Sequence, residues 1–185
     1  MFGGVAATEA ERRSPRAGDS IVPTADVVMD RAFTVDRDPD DVWPWLVQLG
    51  KRRAGWYLPS SVERLLPRSR RAARTIEDRW QNLGVGDVIP DYGGRHETFQ
   101  VAAIQRPSTL VYRSRRGATD VTWSLTLEPV PGVEPVATRI FLRLRLAPVR
   151  HRWLATTAGE LLDLLTVAGL AAGLRERLGA EAQSG

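Results

Sequence analysis

Asp38-Pro-Asp-Asp-Val-Trp-Pro-Trp-Leu-Val-Gln-Leu-Gly50, followed by Arg53-Ala-Gly-Trp-Tyr57, is the stretch on which the fold turns. Three of the six tryptophans fall inside it, just after a run from Val28 to Val35 that reads as a strand. Asp38 is a suitable N-cap, Pro39 fits the first helical position, and Asp40 and Asp41 lie where the helix dipole favours negative charge. Val42, Trp45, Leu46 and Leu49 recur at the spacing of one buried helical face. Pro44 interrupts that helix, and Gly50 closes it. A strand feeding a tryptophan-rich helix, then a second aromatic cluster, predicts a fold built around a large apolar interior.

Working outward, a second helix is predicted from Pro59 to Leu66. After Gly84 the period changes to two. Strands are predicted over Gly86–Pro90, Glu97–Ile104, Thr109–Arg115, Val121–Pro129 and Val136–Ala147, separated by turn signals such as Gly93-Gly94, Gly117 and Pro131-Gly132. Val121, Trp123, Leu125 and Leu127 share one face, as do Ile140, Leu142, Leu144 and Leu146. Arg139, Arg143 and Arg145 take the opposite face, where they are expected to pair with acids and keep an open sheet soluble. A long helix over Ala155–Leu178 is expected to bury Leu161, Leu164, Leu165, Ala168, Leu174 and Leu178 against the sheet. The resulting class is α+β: an antiparallel meander covered on one face by the C-terminal helix.

At 185 residues the chain fits one domain. Residues 1–25 lack periodicity and are expected to form a mobile tail, residues 26–180 the domain, and residues 181–185 a disordered end. The absence of cysteine removes disulfides, thiolate metal sites and cysteine nucleophiles. No secretory h-region is evident, and the apolar Trp153–Leu174 stretch carries Glu160 and Asp163, so no integral membrane association and a cytoplasmic location are expected. The 26 basic residues are offset by 22 acidic ones to leave a net charge of +4, so nucleic acid is not an expected partner.

The element order, together with Val42-Trp-Pro-Trp-Leu-Val-Gln-Leu-Gly50, Arg53-Ala-Gly-Trp-Tyr57, Gly86-Asp87, Trp123-Ser-Leu-Thr-Leu127 and Thr138-Arg139, resembles bacterial members of the START-related (SRPBCC) superfamily. That group includes polyketide cyclases, pollen-allergen-type binding proteins and lipid-transfer domains. The resemblance spans about Asp19 to Leu178. It implies a helix-grip fold, in which a curved antiparallel sheet wraps the C-terminal helix and a ligand cavity lies between them. It implies a small hydrophobic ligand, lipid- or polyketide-like, and no cofactor.

The expected lining is Trp56, Tyr57, Phe99, Tyr112, Trp123, Leu125, Leu142, Leu144, Leu161 and Leu165; the same side chains could equally fill a dry core. Were the chain an enzyme of the cyclase or dehydratase type, His96, Glu97 and Tyr112 would be its proton-moving groups, although a solvated turn explains His96 as well. Two isolated histidines make no metal site. Arg64, Arg68, Arg70, Arg71 and Arg74 form a basic run that reads either as a solvated face or as a dock for an anionic partner, the basis of a third, partner-binding reading. The sequence leaves the oligomeric state open.

Overall fold

A computed structural model describes residues 4–134, 136–150 and 159–181. Six strands form one antiparallel sheet: β1 (Val27–Val35), β2 (Val88–Pro90), β3 (Thr98–Gln105), β4 (Thr109–Arg116), β5 (Thr119–Pro129) and β6 (Thr138–Ala147), in the spatial order β1-β6-β5-β4-β3-β2. Consecutive strands from β2 to β6 are neighbours, and β1 closes the far edge against β6. The strand ends fall within two residues of those read from alternation, because turn glycines and prolines bound each run.

The helices are α1 (Glu9–Arg13), α2 (Pro39–Gln48), α3 (Ser60–Glu63) and α4 (Glu160–Glu181). The side chain of Asp38 caps α2 by accepting from the Asp40 amide at 3.0 Å. The second predicted helix is reduced to the single turn of α3, with a 3-10 turn at Arg68–Arg70.

Register places Trp123 opposite Leu144, Leu125 opposite Leu142 and Tyr112 opposite Trp123, so the predicted apolar residues do share the inner face. Against that face α4 buries Val167, Leu170, Ala171, Leu174 and Leu178. The cover is a curved sheet around a long C-terminal helix: the helix-grip architecture.

The phase of α4 differs from the expected one. Leu161 and Leu165 are 58% and 57% exposed, and Leu164 is exposed too. The buried stripe Val167, Leu170, Leu174, Leu178, carried back one turn, arrives at Asp163 rather than at a leucine. Leucines 161, 162 and 165 therefore turn away from the inward face. Expected helical residues 155–158 and the end at 182–185 lie outside the described residues, and Glu181 still belongs to α4.

The expected N-terminal tail is also corrected. Residues 4–25 lie as a strap across the outer face of the sheet. The Ala32 amide donates to the Val5 carbonyl at 3.1 Å, and Val5, Ala7 and Val22 are buried. The sheet arginines hold this strap. Arg143 donates to both carboxylate oxygens of Asp30 at 2.7 and 3.2 Å, to Asp19 at 2.9 Å, and to the carbonyls of Arg12 and Ser14 at 2.6 and 3.1 Å. Arg139 forks onto Glu11 at 2.7 and 3.0 Å, while Arg145 reaches the Val22 and Pro23 carbonyls. Beneath the strap Phe141, Ala32 and Ala7 form a small second core, with the Arg16 guanidinium over the Phe141 ring at 4.2 Å. These arginines do pair with acids as expected, but Arg143 is only 3% exposed. Their face is covered, not open.

Candidate functional site

The decisive stretch turns out to divide between framework and site. Trp43, Trp45 and Tyr57 are core residues. Tyr57 donates its hydroxyl to the Trp45 carbonyl at 2.8 Å and accepts from Gln48 at 3.1 Å, and its ring meets Trp45 edge-on at 5.6 Å. Arg177 of α4 stacks on the opposite side of that cluster, 4.5 Å from the Tyr57 ring centre, and closes a buried ion pair with Glu63 at 2.8 Å. Between these elements the chain passes over α4 at Gly173, where an added Cβ would lie 2.6 Å from the Leu58 amide nitrogen. Only glycine permits that approach.

Trp56 points the other way. Gly55 adopts φ +88°, and a Cβ there would meet the Ala72 backbone at 2.9 Å, so the turn needs glycine. The Trp56 indole then donates to the Thr166 carbonyl of α4 at 3.1 Å, tying the aromatic turn to the helix where its buried stripe begins.

Here the sheet and α4 diverge, leaving an open cavity of about 370 Å³, inside the range of roughly 300–1,000 Å³ usual for small-molecule sites. Its walls are Trp56, Phe99, Trp123, Leu144 and Leu146, closed on the helix side by Thr166 and Val167. Trp123 is the hub. It stacks on Tyr112 with ring centres 5.7 Å apart, and lies 6.0 Å from Trp56 and 6.1 Å from Phe99. The loop from Asp91 to Gly94 forms the remaining rim. Lys51, the single lysine, donates to the carbonyls of Asp91 and Gly94, each at 2.8 Å, and Arg116 pairs with the Asp91 carboxylate. Tyr92, on this loop, meets Trp56 edge-on at 6.3 Å, and burial raises its phenol above the ordinary value.

One ionisable side chain enters the cavity from the helix: Asp163, at the inward position identified above. Its carboxylate lies 2.9 Å from Arg31 Nε, a basic side chain on the inner face of β1. Burial pushes the Asp163 carboxyl up; Arg31 opposes the shift, while Glu160 and Asp30 add to it.

Of the sequence-predicted lining, Trp56, Phe99, Trp123 and Leu144 border the cavity. Tyr112, Leu125 and Leu142 belong to the core cluster beneath it, and Tyr57 to the framework. Leu161 and Leu165 are exposed outside it, because the helix presents Asp163 instead. The three proposed proton-moving residues are not assembled in the cavity. His96 is exposed and Glu97 half-buried on the rim loop, neither among the lining, while Tyr112 is buried and burial holds its phenol protonated. Sequence reading missed Arg116 and Leu146 as lining, and above all Asp163. Extending the stripe from Leu174 back through Leu170 and Val167 would have found the last.

The basic run is partly committed inside the protein. Arg74 binds Glu63 at 2.6 Å and Glu176 at 3.2 Å, and Arg71 caps the Leu66 and Arg64 carbonyls. Arg64, Arg68 and Arg70 are exposed. A second depression mixes polar side chains, Thr98, Gln100, Arg113 and Asp120, with the apolar Ile21 and Val121, and has no aromatic wall. Among the described residues no three acidic or histidine side chains converge to hold a metal ion, and no helix is long and apolar enough to cross a membrane.

No family model and no curated protein matches the chain. Solved structures do. A hypothetical protein from Helicobacter pylori superposes with a TM-score of 0.57 at 14% identity, over 92% of this chain and 98% of that one. A protein from Rhodobacter sphaeroides gives 0.51 at 16% identity, over 85% and 95%. One from Mesorhizobium loti gives 0.51 at 14%, over 83% and 98%. At these identities the likeness is one of fold: an α+β helix-grip architecture, here with aromatic rings lining the cavity.

Proposed function

We propose that this chain binds a small hydrophobic molecule, lipid- or polyketide-like, in the cavity between the sheet and α4, and that it does so in the cytoplasm. One observation carries the reading: Trp56, Phe99 and Trp123 keep aromatic surface exposed to a cavity of about 370 Å³ at the point where the helix leaves the sheet. A protein that needed only a core would have closed this gap, since each uncovered aromatic face forgoes burial worth about 25 cal/mol per Å². The cyclase or dehydratase reading finds less support, because His96, Glu97 and Tyr112 do not line the cavity. The partner-binding reading has Arg64, Arg68 and Arg70 exposed in the arginine run, while Arg71 and Arg74 are bonded internally.

The test is titration with an apolar fluorescent probe. Saturable binding is expected at roughly micromolar affinity, equivalent to about 8 kcal/mol, and Trp123→Ala should weaken it about tenfold or more. A native protein that binds no such probe, while binding an acidic partner through its arginines, would reverse the order of these readings.

A further inference from the structure

The polar groups around the cavity narrow the kind of hydrophobic molecule it suits. Among the lining side chains two are carboxylates, Asp91 and Asp163, and one is a guanidinium, Arg116. They are not equivalent. Arg116 is already committed to Asp91, and its guanidinium lies 5.3 Å from the centre of the Phe99 ring. The Asp91 charge is therefore met within the wall, and the wall already holds a cation against an aromatic face.

Asp163 is less well compensated. Its partner Arg31 does not line the cavity and is spread over three acceptors: the Asp163 carboxylate, the Asp30 carbonyl at 3.1 Å and the Glu160 carbonyl at 3.1 Å. The ion pair places Nε near Oδ2 without hydrogen-bond alignment, so both atoms are buried with no hydrogen bond. Among the described residues, Glu160 and Asp30 join burial in disfavouring the ionised carboxylate, while Arg31 favours it. A positive charge inside the cavity would relieve that imbalance; a negative one would add to it. The ring faces of Trp56 and Trp123 are electron-rich and attract cations as well as apolar surface.

Resting on the apolar-ligand reading above, we infer that the cavity is built for an amphipathic organic cation: an apolar, ring-bearing body against Trp123 and Trp56, with a protonated amine directed at Asp163. Arg116, held by Asp91 against the Phe99 ring, disfavours a second cationic group beside it.

Three probes that share one ring system test this by isothermal titration at neutral pH: naphthylmethylamine, naphthylmethanol and naphthoic acid. The amine is expected to bind about tenfold more tightly than the alcohol, and the acid more weakly than either. In Asp163→Asn, the amine's advantage over the alcohol should fall from about tenfold to within roughly threefold. The ranking of the three probes on the unaltered protein needs no variant, so it stands even if Asp163→Asn folds poorly. Equal binding of all three, or preference for the acid, overturns the cation inference and leaves the apolar pocket intact. Binding of none overturns both.

Discussion

The two faces of the sheet are covered by opposite means. On the inner face α4 lies over Leu125, Ile140 and Leu142 with aliphatic side chains, and beyond Val167 the cover lifts away to leave aromatic walls. On the outer face residues 4–25 contribute few apolar groups, yet the closure is complete enough to bury Thr122, Ser124 and Arg143. There the binding is done by arginines forking onto carboxylates and backbone carbonyls. Apolar packing is non-directional, so it can stop partway along a helix and leave a gap. Charge-assisted hydrogen bonds fix register atom by atom, which suits a strap with little regular structure of its own.

The largest effect expected from this contrast is on the strap. Deleting residues 1–25 removes the acceptors of Arg139, Arg143 and Arg145 supplied by Glu11, Arg12, Ser14, Asp19, Val22 and Pro23. A cost of about 5 kcal/mol is expected, from several bonds to charged groups at about 1.5–3 kcal/mol each before re-solvation. That corresponds to a fall in Tm of about 10 °C, readable by calorimetry. An unchanged Tm would mean that the outer cover is decorative. Next, Arg143→Met leaves Asp30 buried without its partner and should cost about 3 kcal/mol in urea unfolding. Binding of neutral naphthylmethanol on the other face should change little, since neither Arg143 nor Asp30 lines the cavity.

A smaller effect separates the strap by pH. The fork from Arg139 pulls the Glu11 carboxyl down to about 2, with burial opposing and Thr8 assisting. Because the folded value lies below the ordinary 4.5, the unfolded chain takes up this proton first. The contribution is therefore complete above that ordinary value and is lost as pH falls toward the folded one. Glu11 is half-buried at the rim of the strap, where solvent still screens the pair and limits the contribution to roughly 1 kcal/mol. Glu11→Gln should cost that much at neutral pH and flatten the acid limb of the stability curve. Smallest of all, Arg68→Ala with Arg70→Ala should change neither stability nor probe affinity, since both side chains are exposed.

What was legible in the sequence follows the same division. The meander was readable because Val121 to Leu127 and Ile140 to Leu146 alternate strictly, and the turns between strands carry glycine or proline. Four of the ten expected lining residues border the cavity because strand parity fixes which side chains share a face, although parity does not say how far the helix covers that face. The strap was not read because its acceptors are mostly main-chain carbonyls, which every sequence has. One signal was available: Thr8 and Glu11 form a capping box, each side chain bonding the other's amide, at 3.2 and 2.6 Å. The phase of α4 was misread because Leu161, Leu164 and Leu165 outweighed one aspartate, though Asp163 sits on the stripe that Val167 and Leu174 define.

The central claim is that an apolar molecule enters between the sheet and α4 and lies against particular rings. Each tryptophan carries one indole N–H, so a nitrogen-15 spectrum reports on all six separately. Titrating naphthylmethanol into the labelled protein should move the Trp56 and Trp123 indole signals along a common saturating curve, while those of Trp43 and Trp45, buried in the framework, stay in place. If the Trp56 and Trp123 signals remain still at saturating probe, or if Trp43 and Trp45 move with them, the cavity between sheet and helix is not the binding site.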